Sequence, residues 1–330
     1  MGGQATGRPP GLTGDAGCGQ GLGALEAPLS PIPSYSDVRS RVFLDVRAAV
    51  GVASSWGVRT DRALLFECPR SGMRFRVPAS HDEIERFYEA EYHDRMVGGE
   101  GEDARTAAYR KENDARIRFL RRFCARGRVL DVGCSTGLFA GQLAEAGFEA
   151  LGSDISEYAC AKAAELLGPE RVFCGPVEGV ADELEGSLDA ITLMDVIEHF
   201  EDVVRPLQTM RRMLRPGGVL FLRTPTLSSP FYKVADLSYR ASLGRYKDAV
   251  LKVYHAEHFY FFNERSIRKL LEDTGYEVLA IEADPLCWDN FRSAEMRHGK
   301  LVNAALGAIY FAGRLAGRGH GMRVVARRPR

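Results

Sequence analysis

Two acids and two histidines in the second half of the chain have types and spacing that could do chemistry. Asp195, Glu198 and His199 stand at positions i, i+3 and i+4, so a helical turn would gather their side chains on one face. With His258 further along the chain, they could hold a divalent cation; this ligand set suits Mn²⁺ or Zn²⁺ better than Mg²⁺. Alternatively, the acids cap the following helix while the two histidines hydrogen-bond each other or the backbone.

The same two histidines are the candidates for a general base. Histidine titrates near neutrality, so a neutral imidazole could remove the proton of a substrate hydroxyl. Of the seven histidines, only His199 and His258 are expected at strand or loop ends that face the substrate side. We therefore predict that they are the catalytic residues.

The segment from Val129 to Ala140 indicates the scaffold that positions these side chains. An apolar run predicts a short buried strand, Gly133 and Gly137 predict a turn, and a helical pattern follows. The N-terminus of that helix would face a ligand. A second apolar run ends at Asp154, where a carboxylate could accept hydrogen bonds from both ribose hydroxyls. This pairing suits adenosine, whereas the glycine spacing disfavours the pyrophosphate of a dinucleotide.

These residues resemble the first motif of class I S-adenosylmethionine-dependent methyltransferases. Asp131, Gly133, Gly137 and Asp154 all stand in register with that motif, and the resemblance runs from about residue 106 to residue 327. The resemblance implies a Rossmann-like α/β fold with a seven-stranded, mostly parallel sheet and helices on both faces. It also implies S-adenosylmethionine as the cofactor.

Two later motifs point to a branch of this family. The stretches from Asp195 to His199 and from Glu257 to Phe262 resemble the ubiquinone-biosynthesis-like branch of small-molecule methyltransferases. In relatives that methylate vicinal hydroxyls, a divalent metal engages the hydroxyls, and Asp195, Glu198, His199 and His258 resemble its ligands. Relatives with the same Glu-His pair often act without metal. The resemblance leaves both possibilities open.

The expected cofactor site follows from the resemblance. Asp131 is expected near the methionine amino group, Asp154 on the ribose and Ile155 beside the adenine. Glu178 is expected near the adenine edge, and Met194 or Asp195 beside the methionine portion. The whole cofactor-binding set is Asp131, Gly133, Cys134, Gly137, Asp154, Ile155, Glu178, Met194 and Asp195.

Composition along the chain suggests three parts. Residues 1–35 are rich in Gly and Pro and too poor in apolar surface to order, so we expect disorder. Residues 36–100 predict a small β-rich module resembling a zinc ribbon that has lost its metal, because Cys68 is present but its partner position is Ser71. Residues 101–330 predict the methyltransferase domain, with a lid insertion at 226–262 and a helical insertion at 285–320. The amphipathic pattern in the second insertion predicts a helix and favours its packing on the core over contact with a membrane.

Charge and cysteine usage exclude some classes of protein. Lys and Arg total 44 and Asp and Glu total 44, so no global field attracts nucleic acid or an anionic membrane. No signal peptide and no spanning helix of about 18 apolar residues is visible, so stable membrane insertion is not expected. The cysteines lack a Cys-x-x-Cys pair, which argues against a disulfide framework and favours a reducing cytoplasm. They are Cys18, Cys68, Cys124, Cys134, Cys160, Cys174 and Cys287.

The leading hypothesis is a small-molecule methyltransferase that forms an O-methyl ether. Its acceptor would be a phenolic, quinoid or sugar-like hydroxyl in secondary or envelope metabolism, and the protein would be a monomer or homodimer. One alternative keeps the cofactor fold with lost or repurposed catalysis. Another is 2'-O-methylation of RNA, which the zero net charge disfavours.

Overall fold

The computed structural model describes residues 30–35, 38, 40–45, 64–76, 102–243, 253–255, 258–284 and 300–330. The strands are β1 (Arg41–Asp45), β2 (Leu64–Glu67), β3 (Arg74–Arg76), β4 (Arg128–Val132), β5 (Glu149–Asp154), β6 (Val172–Cys174), β7 (Leu188–Met194), β8 (Leu214–Pro225), β9 (Tyr260–Phe261), β10 (Glu277–Asp284) and β11 (Gly321–Arg327). The helices are α1 (Glu102–Leu120), α2 (Leu138–Glu145), α3 (Glu157–Leu167), α4 (Val204–Met213), α5 (Pro230–Ala241), α6 (Glu264–Asp273) and α7 (Lys300–Leu315).

The larger sheet has seven strands in the order β10-β11-β8-β7-β4-β5-β6. Strands β4 to β8 all run parallel to one another, and β11 runs antiparallel to both β8 and β10. The chain passes from β4 to β5 on one side and later returns to β7 on the other. This change of direction opens a crevice at the carboxyl end of β4, where α/β sheets bind ligands.

Helices cover both faces of this sheet. Successive residues of a strand point to opposite faces, so each strand feeds two apolar cores. The face toward α1 and α2 carries Val129, Ala150, Ala190, Phe221 and Val325. The face toward α4 and α6 carries Leu130, Leu151, Ile191, Leu220 and Val324. The predicted fold class is confirmed.

Local capping explains where several helices begin. The Ser156 hydroxyl accepts a hydrogen bond from the Ala159 amide at the start of α3. Asn263 and Ser266 form a reciprocal capping box at the start of α6, where the sequence predicts an Asn cap. Among the described residues, no helix combines the length and apolar character needed to cross a lipid bilayer.

A second, four-stranded antiparallel sheet has the order β1-β2-β3-β9. Its first three strands come from the predicted N-terminal module, but β9 comes from the predicted lid insertion, and Phe75 pairs with Tyr260. The small sheet thus joins residues of the predicted N-terminal module to residues of the predicted lid insertion. Cys68 lies fully buried at the end of β2, and its thiol is hydrogen-bonded by Ser30 and Ser71.

Residues 30–35 pack against α6, although the sequence placed them in the Gly/Pro-rich segment. Ile32 is completely buried in the main core, and the Ser34 amide donates to the Asp273 carboxylate over 3.0 Å. Burial of the apolar Ile32 side chain stabilises this short stretch despite the Gly/Pro-rich composition around it. Residues 1–29 lie outside the described part of the chain, as does most of the predicted module between β1 and β2.

The lid insertion contains α5, which begins after Ser229 with Pro230 at its first position. Arg74 of β3 makes a buried ion pair with Asp236 of α5 at 2.7 Å and a second one with Glu67 at 3.0 Å. These contacts fix α5 against the smaller sheet. Residues 244–252 of the insertion and residues 285–299 before α7 lie outside the described residues.

Candidate functional site

The turn after β4 has the left-handed backbone that its glycines were expected to allow. Gly133 has φ 69° and Gly137 has φ 83°. A Cβ on Gly133 would lie 2.5 Å from Cγ2 of Val196, and one on Gly137 would lie 3.1 Å from Ala163 of α3. The two glycines therefore allow close packing against Val196 and Ala163, and this packing forms the wall of the crevice.

Asp154 ends β5 with its carboxylate held by two backbone amides. Oδ2 accepts from the Ser135 amide at 2.8 Å, and Oδ1 accepts from the Ser156 amide at 3.0 Å. A carboxylate has about four acceptor positions, so two remain for a ribose diol. Ile155, next to it, is 56% exposed and offers an apolar surface to a base at the same edge.

Asp131 is buried within β4 rather than open to the crevice. Its Oδ1 accepts from the Thr192 hydroxyl at 2.7 Å. Burial raises the pKa of Asp131 to about 7, and the nearby Asp154 charge adds to the increase. A positively charged amino group placed nearby would lower the pKa of Asp131 again, and the role of Asp131 at the methionine end stays a prediction.

The other predicted cofactor residues surround the same edge. Cys134 is buried in the turn, and burial raises the pKa of its thiol. Glu178 lies in a 3₁₀ turn (Val177–Val180) with a long ion contact of 4.0 Å to Arg205. Met194 ends β7 partly buried. Cys134 and Met194 lie with Asp131 and Asp154 at the carboxyl ends of β4, β5 and β7, whereas Glu178 follows the next strand of the sheet, β6.

Asp195 follows β7 in a left-handed conformation, with φ 59°. Its carboxylate pairs with Arg223 of β8, and its amide donates to the Arg223 carbonyl at 2.9 Å. The segment then forms a 3₁₀ turn (Ile197–His199) and not the α-helix that the i, i+3, i+4 spacing requires. Asp195 is not part of the group in which ligand atoms of Glu198, His199 and His258 lie within 4.8 Å of one another, so three of the four predicted ligands come together.

Arg223 belongs to a buried charge network that no sequence pattern predicted. Its Nε lies 3.2 Å from Asp284, which also contacts Arg116 at 3.5 Å and Arg323 at 3.6 Å. Burial disfavours the Arg223 charge, but the carboxylates of Asp195 and Asp284 hold its pKa above the ordinary value. The network spans three strands and α1, so no local motif could reveal it.

Glu198, His199 and His258 form a compact cluster beyond β7. One ligand atom from each lies within 4.8 Å of the others. Oε2 of Glu198 accepts from the Thr224 hydroxyl at 3.0 Å, whereas Oε1 of Glu198 and Nδ1 of His258 are buried without a hydrogen-bond partner in the described structure. Such unpaired buried atoms are costly, so they mark a place that a bound molecule would fill.

Burial sets the protonation of this cluster. It raises the pKa of Glu198, and the charge of Asp195 raises it further. Burial also lowers the pKa of His258 well below its usual value, and the neighbouring His199 and His255 act in the same direction. His258 is therefore a neutral imidazole at physiological pH, and its unpaired nitrogen can accept a proton or a hydrogen bond.

Two further histidines, His255 and His320, lie near His258, although the sequence analysis did not predict either of them at the site. The His255 and His258 rings lie 5.2 Å apart. His320 precedes β11, and burial, followed by the charge of Arg223, lowers its pKa to about 3. The i, i+3 spacing could have suggested His255, but His320 arrives only through the pairing of β11 with β8.

The cluster also fits a divalent cation, although with three ligands instead of four. One carboxylate and two imidazoles suit Mn²⁺ or Zn²⁺, and the unpaired Oε1 of Glu198 and Nδ1 of His258 would be satisfied by such an ion. Asp195 is not among these ligands, because its carboxylate forms an ion pair with Arg223.

Comparisons with known proteins identify the family of this chain. The family described as "Methyltransferase domain" matches residues 104–281, more than half of the 330 residues. The ubiquinone biosynthesis O-methyltransferase of Methylococcus capsulatus is 31% identical over 136 residues, which cover 37% of this chain and 54% of that protein. The protein of the same name from Xanthomonas oryzae is 38% identical over 105 residues, covering 30% and 44%. The chain spans about half the length of these curated relatives.

A solved structure supports the fold. A chain in the complex between the Haloferax volcanii Trm112 methyltransferase activator and a methyltransferase has a TM-score of 0.50 at 16% identity, covering 73% of this chain and 95% of that chain. The sheet and its crevice define a Rossmann-like class I methyltransferase fold. The chain belongs to the methyltransferase domain family, and the sequence-based recognition is confirmed. S-adenosylmethionine is the cofactor of this family.

Proposed function

We propose that the chain is an S-adenosylmethionine-dependent O-methyltransferase for a small molecule with a phenolic, quinoid or sugar-like hydroxyl, in secondary or envelope metabolism. The observation that carries the proposal is the cluster of Glu198, His199 and His258, which holds unpaired buried acceptor atoms past the end of β7. The cofactor residues surround the adjacent strand ends. The names of the curated relatives support O-methylation.

S-adenosylmethionine supplies a methyl group that is already electrophilic on its sulfonium. The chain's own residues therefore have to orient the acceptor, exclude water and remove one proton. Asp154 and Ile155 hold the nucleoside end, while Asp131 and Asp195 lie toward the methionine end. The acceptor hydroxyl would contact the histidine cluster.

Proton removal would use His258 and Glu198 together. Nδ1 of His258 is neutral and unpaired, so it can take the hydroxyl proton, but its lowered pKa makes it a poor final holder. Glu198 has a raised pKa and an unpaired Oε1 within the same cluster. Because the pKa of Glu198 is raised to about 8, its ionised form is a base strong enough to hold the proton, and that form becomes more abundant as the pH rises through about 8. His199 packs against His258 and would orient its ring.

A divalent cation, where bound, would be held by Glu198, His199 and His258 and would lower the pKa of the acceptor hydroxyl. Such an ion would supply stabilisation of the deprotonated acceptor hydroxyl in place of proton transfer to His258 and Glu198. The two versions differ in their response to a chelator, so the functional assay is run with and without one.

The test measures S-adenosylhomocysteine released by the full chain with a catechol, a monophenol, a simple glycoside and an amine, each with EDTA or with Mn²⁺. We expect turnover with at least one hydroxyl acceptor. His258→Gln should lower kcat by about a hundredfold or more while the Kd for S-adenosylhomocysteine changes less than about twofold. Methylation of the amine alone, or retention of RNA on filters at low salt, would contradict the proposal. Cofactor binding with no turnover on any acceptor would favour repurposed catalysis.

A further inference from the structure

Two cysteines lie beside the ribose carboxylate, and the methyl-transfer scheme does not use them. Cys160 stands in the first turn of α3 and is 7% exposed. Cys174 is the last residue of β6 and is exposed. In the parallel pairing of β5 with β6, Cys174 lies opposite Asp154. Both are free thiols.

The Cys160 thiol is attached to the backbone of the cofactor edge. Its Sγ donates to the Asp154 carbonyl at 3.2 Å and lies 3.8 Å from the carbonyl of Phe173, the residue before Cys174. The two thiols influence each other electrostatically, and the helix that carries Cys160 packs against the strand that carries Cys174. A shift of either sulfur therefore acts on the backbone that presents the Asp154 carboxylate.

We propose that Cys160 and Cys174 form an oxidative modification site, in which hydrogen peroxide converts the pair to a disulfide that lowers the affinity for the cofactor. The Cys174 sulfur attacks the peroxide oxygen, the O–O bond breaks, and a sulfenic acid and water form. The Cys160 sulfur then attacks the Cys174 sulfur, the S–O bond breaks, and a second water leaves. The two thiols lose two protons and two electrons, which the peroxide gains.

Exposure gives the two cysteines different parts in this reaction. Cys174 is accessible to a small oxidant, whereas Cys160 is covered and burial raises its pKa. Cys160 is therefore the resolving thiol, carried on a helix that packs against the strand ending at Cys174. The other described cysteines, Cys68, Cys124 and Cys134, are buried.

Disulfide formation changes the support of Asp154 in two ways. It removes the S–H donor to the Asp154 carbonyl. It also brings the two sulfurs to about 2.05 Å from each other, which draws the first turn of α3 toward the end of β6. Ser156, the cap of α3, donates its amide to the Asp154 carboxylate, so a moved helix start would disturb the ribose site.

The experiment compares full-length wild type with Cys174→Ser, each treated with hydrogen peroxide, quenched with catalase and titrated calorimetrically with S-adenosylhomocysteine. Peptide mass spectrometry without reductant locates the disulfide. In wild type we expect a Cys160 to Cys174 linkage and a Kd increased about tenfold, restored by dithiothreitol. Cys174→Ser receives the same peroxide, so it controls for oxidation of methionines and other cysteines, and its Kd should not change.

Two results would overturn the proposal. One is that Cys160 and Cys174 remain reduced under conditions that oxidise an exposed model thiol. The other is that the linkage forms and the Kd stays the same. The proposal rests on a cofactor bound at Asp154, so absence of binding by the reduced wild type would reject that position first. Turnover without any effect of peroxide would reject the modification site and leave the proposed function standing.

Discussion

His199 and His258 meet edge to face, with ring centroids 4.7 Å apart and an interplanar angle of 88°. The two rings come from different loops, one after β7 and one before β9. The amide of Phe259 donates to the Glu198 carbonyl at 2.8 Å and ties these loops together. Because the main chain fixes their approach, substitution of either ring should leave the loops in place.

Asp154→Ala should weaken binding of S-adenosylhomocysteine by roughly 1.5–3 kcal/mol, the range for lost hydrogen bonds to a charged group. The variant loses the predicted ribose contacts and frees the Ser135 and Ser156 amides. Calorimetric titration measures the change. Asp182→Ala removes an exposed acid away from strand β5 and should bind as wild type. Equal affinities for both variants would rule out the ribose role.

Gly133→Ala should destabilise the fold by about 2–4 kcal/mol, measured by urea unfolding. Its backbone is left-handed and its new Cβ would meet Val196 at 2.5 Å. Gly186→Ala is a matched control, because Gly186 has φ 63° and no atom within 4 Å of the added Cβ. That variant should lose only about 1 kcal/mol, the backbone part. Val196→Ala in the Gly133→Ala background should recover stability; if it lowers stability further, the steric explanation is wrong.

Arg223→Met should cost about 3–5 kcal/mol of unfolding free energy, because it leaves the carboxylates of Asp195 and Asp284 without their shared partner. Arg327→Met removes a partly exposed ion pair with Glu277 at the far end of the sheet and should cost less than about 1 kcal/mol. Chemical denaturation of both variants tests the contrast. Similar losses of unfolding free energy in the two variants would show that the buried network stabilises the fold no more than the partly exposed ion pair does.

The sequence predicted the scaffold well because its signals are local. The apolar run of β4, the turn at Gly133 and the capped helices α3 and α6 each depend on neighbouring residues. The spacing of Asp154 from the turn places it on the adjacent strand, and the structure has it there. These features need no knowledge of distant contacts.

The sequence could not predict features that depend on pairing across the fold. The left-handed backbone of Asp195 turns its carboxylate to Arg223, which breaks the helical spacing on which the four-residue metal set depended. His320 reaches the cluster through β11, and the small sheet recruits Tyr260 from the other end of the chain. Each requires the pairing of segments far apart in the chain, or a left-handed backbone, to be known beforehand.

Asp131 should make the stability of the fold depend on pH. Its pKa is about 7 in the folded state and 3.8 in the reference state, because burial favours the protonated form. The folded state therefore binds more protons between these values. The stabilisation is complete below about pH 3.8 and is lost as the pH rises through about 7. Asp131→Asn, which stays neutral, should abolish this decline, which we expect to be on the order of 4 kcal/mol from the difference between a pKa of 3.8 and one of about 7.

Urea unfolding of wild type and Asp131→Asn across this pH range measures the difference, in which the titration of all other carboxyls cancels. Thr192→Val supplies a directional control. The Thr192 hydroxyl donates to Asp131 and lowers its pKa, so removing it should move the decline to higher pH. A difference curve between wild type and Asp131→Asn that is flat in pH would show that Asp131 is ionised in the fold. That result would contradict the raised pKa and the pH dependence of stability that follows from the burial of Asp131.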